Sequence, residues 1–135
     1  MRSSAGISEG QWTIKDVAKR VGLSAHTIRY YEQEGLLPLL KRDQHGNRIF
    51  EESDIEWLEL IICLRETGMP IAEIRRYVDL SMEGDQTIPT RKQILQKHKQ
   101  MLKKKIEEIN RALNKIDHKM QLYDSLLESG GGSEG

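Results

Sequence analysis

The side chains able to do chemistry in this sequence fall into two groups. One is a single thiol, Cys63, in the stretch Asp54 to Gly68, D-I-E-W-L-E-L-I-I-C-L-R-E-T-G. Only the thiolate attacks an electrophile, so neighbours decide its reactivity: Glu59 and Glu66 oppose ionisation, and Arg65 favours it. The other group is a run of hydrogen-bond donors and cations: Thr13, Ser24, His26, Thr27, Arg29, Tyr30 and Tyr31, then Lys41, Arg42 and Arg48. Groups of this kind read base edges and hold phosphates. Catalysis asks for more, a nucleophile with its base or a pair of carboxylates in a pocket. With 1 Cys, 4 scattered His and no glycine-rich phosphate loop, the chain is not expected to be an enzyme or to carry a cofactor or a metal.

The donors need elements to present them, and the sequence supplies start and stop signals. Thr13 with Asp16 opens an amphipathic helix carrying Ile14, Val17, Ala18 and Val21, and Gly22 stops it. Ser24 caps a second helix from Ala25 to Glu34, ended by Gly35. A helix-turn-helix needs a small residue at the crossing, a glycine in the turn and apolar residues that lock the angle. Ala18, Gly22 and the set Val17, Val21, Leu23, Ile28 and Tyr31 meet those needs. His26, Thr27, Arg29 and Tyr30 then face outward, as a major-groove helix requires. Gly46-Asn47 between Leu39-Leu40 and Ile49-Phe50 predicts a β-hairpin with a basic tip, a wing whose Lys41, Arg42 and Arg48 reach flanking phosphates.

Ser53 with Glu56 forms a second capping box, followed by Ile55, Leu58, Ile61 and Ile62 up to Thr67-Gly68. Pro70 suits the first turn of a further helix bearing Ile71, Ile74, Tyr77 and Val78. A last helix runs from about 87 to 127, with Leu95, His98, Leu102, Ile106, Ile109, Leu113, Ile116, Met120, Tyr123 and Leu127 spaced by three and four. That is the period of a coiled coil, and a stripe so long asks for a partner. A second copy is the simplest, with Leu95, Leu102, Ile106, Ile109, Leu113, Ile116, Met120 and Tyr123 as the interface. The spacing leaves the strand direction open. The basic excess around Lys103-Lys104-Lys105 is a solvated face.

The stretches T-I-K-D-V-A-K-R-V-G-L-S, R-Y-Y-E-x-x-G-L-L-P, G-N-R-I-F, S-D-I and G-M-P-I-A-E-I resemble the MerR family of transcriptional regulators, in detail over roughly 13–80. Asn47 departs from that pattern, where the family usually places Tyr beside the wing arginine. The resemblance implies an antiparallel coiled coil joining two DNA-binding heads, a pseudo-palindromic operator, and activation by distorting a promoter so that RNA polymerase can engage it. A helix from Leu95 to Leu127 spans roughly 50 Å, about a helical turn or two of DNA. The fold expected is therefore mainly α, a winged helix-turn-helix followed by a long dimerisation helix.

What such a regulator senses varies within the family. Metal sensing is disfavoured because no Cys follows Cys63, and His98 and His118 could meet only across two chains. A drug-binding C-terminal domain is not expected within 135 residues, nor an iron–sulfur cluster with 1 Cys. Cys63 remains, and its helix resembles a subset of the family with one Cys at this point that responds to aldehydes and related electrophiles. The alternatives are an inert, half-buried Cys63 with another small effector, or a coiled-coil adaptor that binds no DNA.

Lys plus Arg and Asp plus Glu both total 21, but the charge is unevenly placed. Residues 1–50 carry 8 basic and 5 acidic groups, 51–90 carry 3 and 10, and 91–127 carry 10 and 4. A lone cysteine, no signal peptide and no apolar run near the roughly 20 residues of a membrane span predict a cytoplasmic protein with no membrane partner. The expected organisation is a disordered tail over 1–11, the DNA-binding domain over 12–82, the coiled-coil helix over 87–127 and a disordered Gly/Ser tail over 128–135.

Overall fold

A computed structural model describes residues 10–130. They form β1 (Gln11–Trp12), α1 (Ile14–Val21), α2 (Ala25–Gln33), β2 (Lys41–Arg42), β3 (Arg48–Glu51), α3 (Glu52–Glu66), α4 (Ile71–Glu83), a 3₁₀ turn (Asp85–Thr87) and α5 (Ile88–Glu128). The chain divides into a head, residues 1–91, and a second unit, residues 92–135. The architecture is mainly helical, as the periodicity predicts.

In the head, α1 starts where the Thr13 hydroxyl accepts the Asp16 N–H and the Asp16 carboxylate accepts the Thr13 N–H, both at 3.2 Å. It stops at Gly22, whose φ of 75° is the left-handed geometry that a side chain resists. Two residues later Ser24 caps α2, its hydroxyl accepting the Thr27 N–H at 3.1 Å. The wing is an antiparallel pair, with Lys41 opposite Ile49 and Arg42 opposite Arg48. Its first strand starts at Lys41, after the Leu39-Leu40 run, because Leu40 N–H is drawn into a turn with Leu37 O at 3.3 Å. The tip is closed by Asp43, whose carboxylate accepts the His45 and Asn47 N–H groups at 2.9 Å, while Gly46 at φ 82° turns the chain.

Two expectations change here. The region expected as an N-terminal tail gives up its end to the fold: Gln11 lies in β1, which pairs antiparallel with β3 through Gln11–Glu51 and Trp12–Phe50. A two-residue strand leaves no periodicity to read, and its ladder bonds come from a distant segment. Residues 1–9 lie outside the described residues, as do 131–135 at the Gly/Ser end, where α5 runs to Glu128. The cap of α3 also moves. Strand β3 passes into α3 without a connecting loop, so the helix begins before Ser53, and Asp54 accepts the Glu51 N–H at 2.9 Å.

Val17, Ile28, Leu36, Phe50, Ile55, Leu58, Ile61 and Ile74 are completely buried and fuse α1, α2, the wing base, α3 and α4 into one core. The Trp57 indole donates to Leu36 O at 2.7 Å and stacks on Tyr77 at 5.8 Å. Arg75 on α4 donates to Glu34 O at 3.4 Å and pairs with the Glu34 carboxylate, offsetting a negative charge at the C-terminal end of α2. In the second unit, α5 belongs to a continuous 41-residue helix. Ile94 and His98 are buried and Leu95 and Leu102 half-buried, while Ile106, Ile109, Leu113, Ile116, Met120, Tyr123 and Leu127 are exposed.

Candidate nucleic-acid interface

The outer face of α2 is set by its own period. Ile28 and Tyr31, three apart, turn inward, which leaves His26, Arg29 and Tyr30 exposed and Thr27 half-exposed beside them. Among the described residues, the Arg29 side chain has no hydrogen-bond or ion-pair partner, so its five donors are available to a ligand. Thr27 is tied to the cap by a 2.9 Å contact between its hydroxyl and that of Ser24. Thr13 and Ser24 sit at the N-termini of α1 and α2 as caps, where free N–H groups suit a phosphate.

Tyr31, included among the DNA-contacting candidates on the strength of its position, is in the core with 7% of its surface exposed. Burial pushes its hydroxyl pKa up, as expected for a phenol withdrawn from water. The adjacent Tyr30 is the exposed ring of the pair, 48% accessible.

The wing cations are less free than the sequence suggests. Lys41 approaches the Glu51 carboxylate only at 3.8 Å and remains exposed. Arg42 donates to both Glu32 oxygens, at 3.1 and 3.2 Å, and to Gly46 O at 2.8 Å. Arg48 donates its Nε–H to the same Glu32 carboxylate. Glu32 thus joins the outward helix to both strands of the wing. Sequence reasoning gave it no role, although it stands within the R-Y-Y-E stretch; the only signal was an acid among cations. Arg20 was not singled out either: it pairs with Glu52 at the start of α3, donating at 3.1 Å, and lies over the Trp12 ring at 5.5 Å. The Arg20 bond holds the Glu52 carboxyl below its usual pKa.

Cys63 lies in the last turn of α3 and is exposed, unlike a half-buried packing residue. Its neighbours Glu59 and Glu66 are exposed as well, and its carbonyl accepts the Thr67 hydroxyl at 2.7 Å. Among the described residues, no three His, Cys, Asp or Glu side chains gather where they could hold a metal ion. No helix among them is long and apolar enough to cross a membrane.

The chain is similar to known proteins in sequence and in fold. Residues 12–81 match the family model of MerR HTH regulatory proteins, and residues 55–119 match a second model described as MerR, DNA binding. A transcriptional regulator of the HTH type from Haemophilus influenzae is 38% identical over 119 residues, covering 88% of this chain and 88% of that protein. The transcriptional regulator AdhR of Bacillus subtilis is 48% identical over 82 residues, or 61% of this chain and 59% of AdhR. Among solved structures, HiNmlR, a MerR family regulator lacking the sensor domain and bound to promoter DNA, aligns with a TM-score of 0.82 and 35% identity, covering 92% of this chain and 94% of that one. A MerR family regulator from Bacillus thuringiensis aligns with a TM-score of 0.76 and 41% identity over 84% of this chain and 99% of its own. The relatives are regulators rather than enzymes, and this chain belongs to the MerR family as a DNA-binding regulator of transcription.

Proposed function

We propose that the protein binds a pseudo-palindromic promoter element as a homodimer, distorts the DNA so that RNA polymerase can use it, and responds to reactive aldehydes through Cys63. The observation that supports the dimer is the apolar stripe of α5, whose residues from Ile106 to Tyr123 are 51–58% exposed at 3.5-residue spacing. Water-exposed side chains in that pattern are what a second helix covers, and an antiparallel pairing would relate the two copies by a two-fold axis. DNA contact is assigned to His26, Thr27, Arg29 and Tyr30 on α2 and to Lys41, Arg42 and Arg48 on the wing, with Thr13 and Ser24 at the helix starts. HiNmlR, so similar in fold, was solved on promoter DNA, which supports that assignment. Distortion costs energy that contacts on both sides of a kink return.

Exposure of Cys63 supports the sensing role. The thiolate would attack the aldehyde carbon, forming a C–S bond as the carbonyl π electrons move to oxygen, which takes up a proton to give a hemithioacetal. The added group alters packing at the end of α3 and biases the dimer toward the DNA-distorting form. A second reading, in which Cys63 is inert and another small molecule is the effector, has one observation in its favour. A cleft of about 250 Å³ in the head is lined by Leu37, Leu39, Leu40, Trp57 and Met82.

One experiment separates the two. Transcription by purified polymerase from the promoter upstream of the protein's own gene is compared for wild type and Cys63→Ser, with and without a small aldehyde. A response in wild type alone supports the thiol. Equal responses, or none with DNA binding intact, remove Cys63 from the mechanism.

A further inference from the structure

We infer that Glu32 is a positioning residue for sequence readout: its carboxylate fixes the wing against the recognition helix and restrains two wing arginines from binding DNA of arbitrary sequence. This rests on the reading of α2 and the wing as the DNA-contacting surface. The geometry is unusual for surface charges. One carboxylate, its side chain only 18% exposed, takes Arg48, 17% exposed, and Arg42, 44% exposed. Arg42 is also bonded to Gly46 O at the wing tip, so a single acid ties α2 to both strands of the hairpin and to its turn.

Two consequences follow from charge and reach. Arg29 and Glu32 are three apart on α2, and Glu32 is bonded to the wing, so the wing cannot swing without breaking the charge-assisted bonds from Arg42 and Arg48 to the helix that carries Arg29. The same carboxylate cancels part of the positive field of Arg42 and Arg48. Non-specific binding comes almost entirely from phosphate electrostatics, so a neutralised pair of arginines lowers it. A site that supplies the right backbone path can draw Arg42, the more exposed of the two, away from Glu32; other DNA gains less from doing so. Glu32 therefore raises discrimination while lowering total attraction, the reverse of what a purely structural ion pair would do.

The test uses the full-length protein, a duplex that wild type selects from a random pool, and a scrambled duplex, with fluorescence anisotropy across a salt series. Glu32→Gln is expected to bind the scrambled duplex about threefold to tenfold more tightly, to lose about tenfold in the ratio of selected to scrambled affinity, and to steepen the salt slope by about 1–2. In an Arg42→Gln, Arg48→Gln background the same change should leave the ratio untouched. Loss of affinity for both duplexes by one factor at constant slope, or an equal fall of the ratio in that background, overturns the inference. Should Glu32→Gln melt below the assay temperature, Glu32→Asp carries the test. It keeps the charge but is one methylene too short to hold both guanidinium groups, and is expected to weaken selected binding about threefold with scrambled binding unchanged; an unaltered ratio overturns the inference. Failure of the underlying reading looks different: Arg29→Ala would then leave binding to the selected duplex intact, whatever Glu32 does.

Discussion

Phe50, Ile55 and Leu58 in the head are wholly buried, whereas on α5 the stripe from Ile106 to Leu127 leaves each of its residues 51–67% exposed. The head helices, with Ile55 and Leu58 on α3, and α5 both carry apolar side chains at helical spacing, so periodicity alone does not separate them. Length does. The head helices have 8–15 residues and short connections that let one chain cover all of them, while α5 has 41. A core closed within one chain specifies a fold, and the open stripe is the surface that the proposed dimer would cover.

Charging the stripe breaks this contrast most severely. Ile109→Asp with Leu113→Asp removes about 1.5–3 kcal/mol of burial per side chain in each of two copies, enough to turn a micromolar sample into monomers by sedimentation velocity. A variant that stays dimeric would place the interface elsewhere. The complementary change is Phe50→Ala, expected to cost the head about 3–5 kcal/mol in a calorimetric melt while leaving the sedimenting species unchanged. If both properties collapse together, the two regions are not energetically separate. A smaller effect sharpens the comparison at the surface: Arg29→Ala should weaken operator binding by about 1–3 kcal/mol with no change in melting temperature. Equal weakening on scrambled DNA would reduce Arg29 to a phosphate contact.

The least effect is expected at the wing tip and depends on pH. The Asn47 and His45 N–H groups hold the Asp43 carboxyl below its usual pKa. A folded pKa below the unfolded one gives stabilisation that is present above about pH 4 and lost as the pH falls through the folded value. Amide resonances of His45 and Asn47 should therefore shift as the pH falls below about 4 in wild type, and Asp43→Asn should show no such step.

What the sequence reveals follows the range of the interactions. Thr13 with Asp16, Gly22 and Ser24 were legible because each cap or stop is satisfied within four residues. The inward face of α2 was legible at Ile28 and Tyr31, both in the apolar locking set; the second role given to Tyr31, as a DNA donor, does not fit a mainly apolar ring that is buried. The cap of α3 was misplaced although its bond spans three residues, because Ser53 with Glu56 offers an equally local pattern just after it. Strand β1 and the Glu32 pairings were not legible: their partners lie 10 to about 40 residues away, and nothing local marks them. Exposure of Cys63 belongs to the same class, since the apolar residues around it suggest an interior position that only the packing of α3 can refuse.

The junction at Glu51 has a mechanical consequence. That residue ends β3, and its N–H is already bound by Asp54 in the first turn of α3. With no slack residue between strand and helix, the two behave as the arms of a crank. A rotation of α3 about its axis, however small, is delivered as torque to Arg48 and the hairpin, or else is spent tearing the 2.9 Å bond that welds the corner.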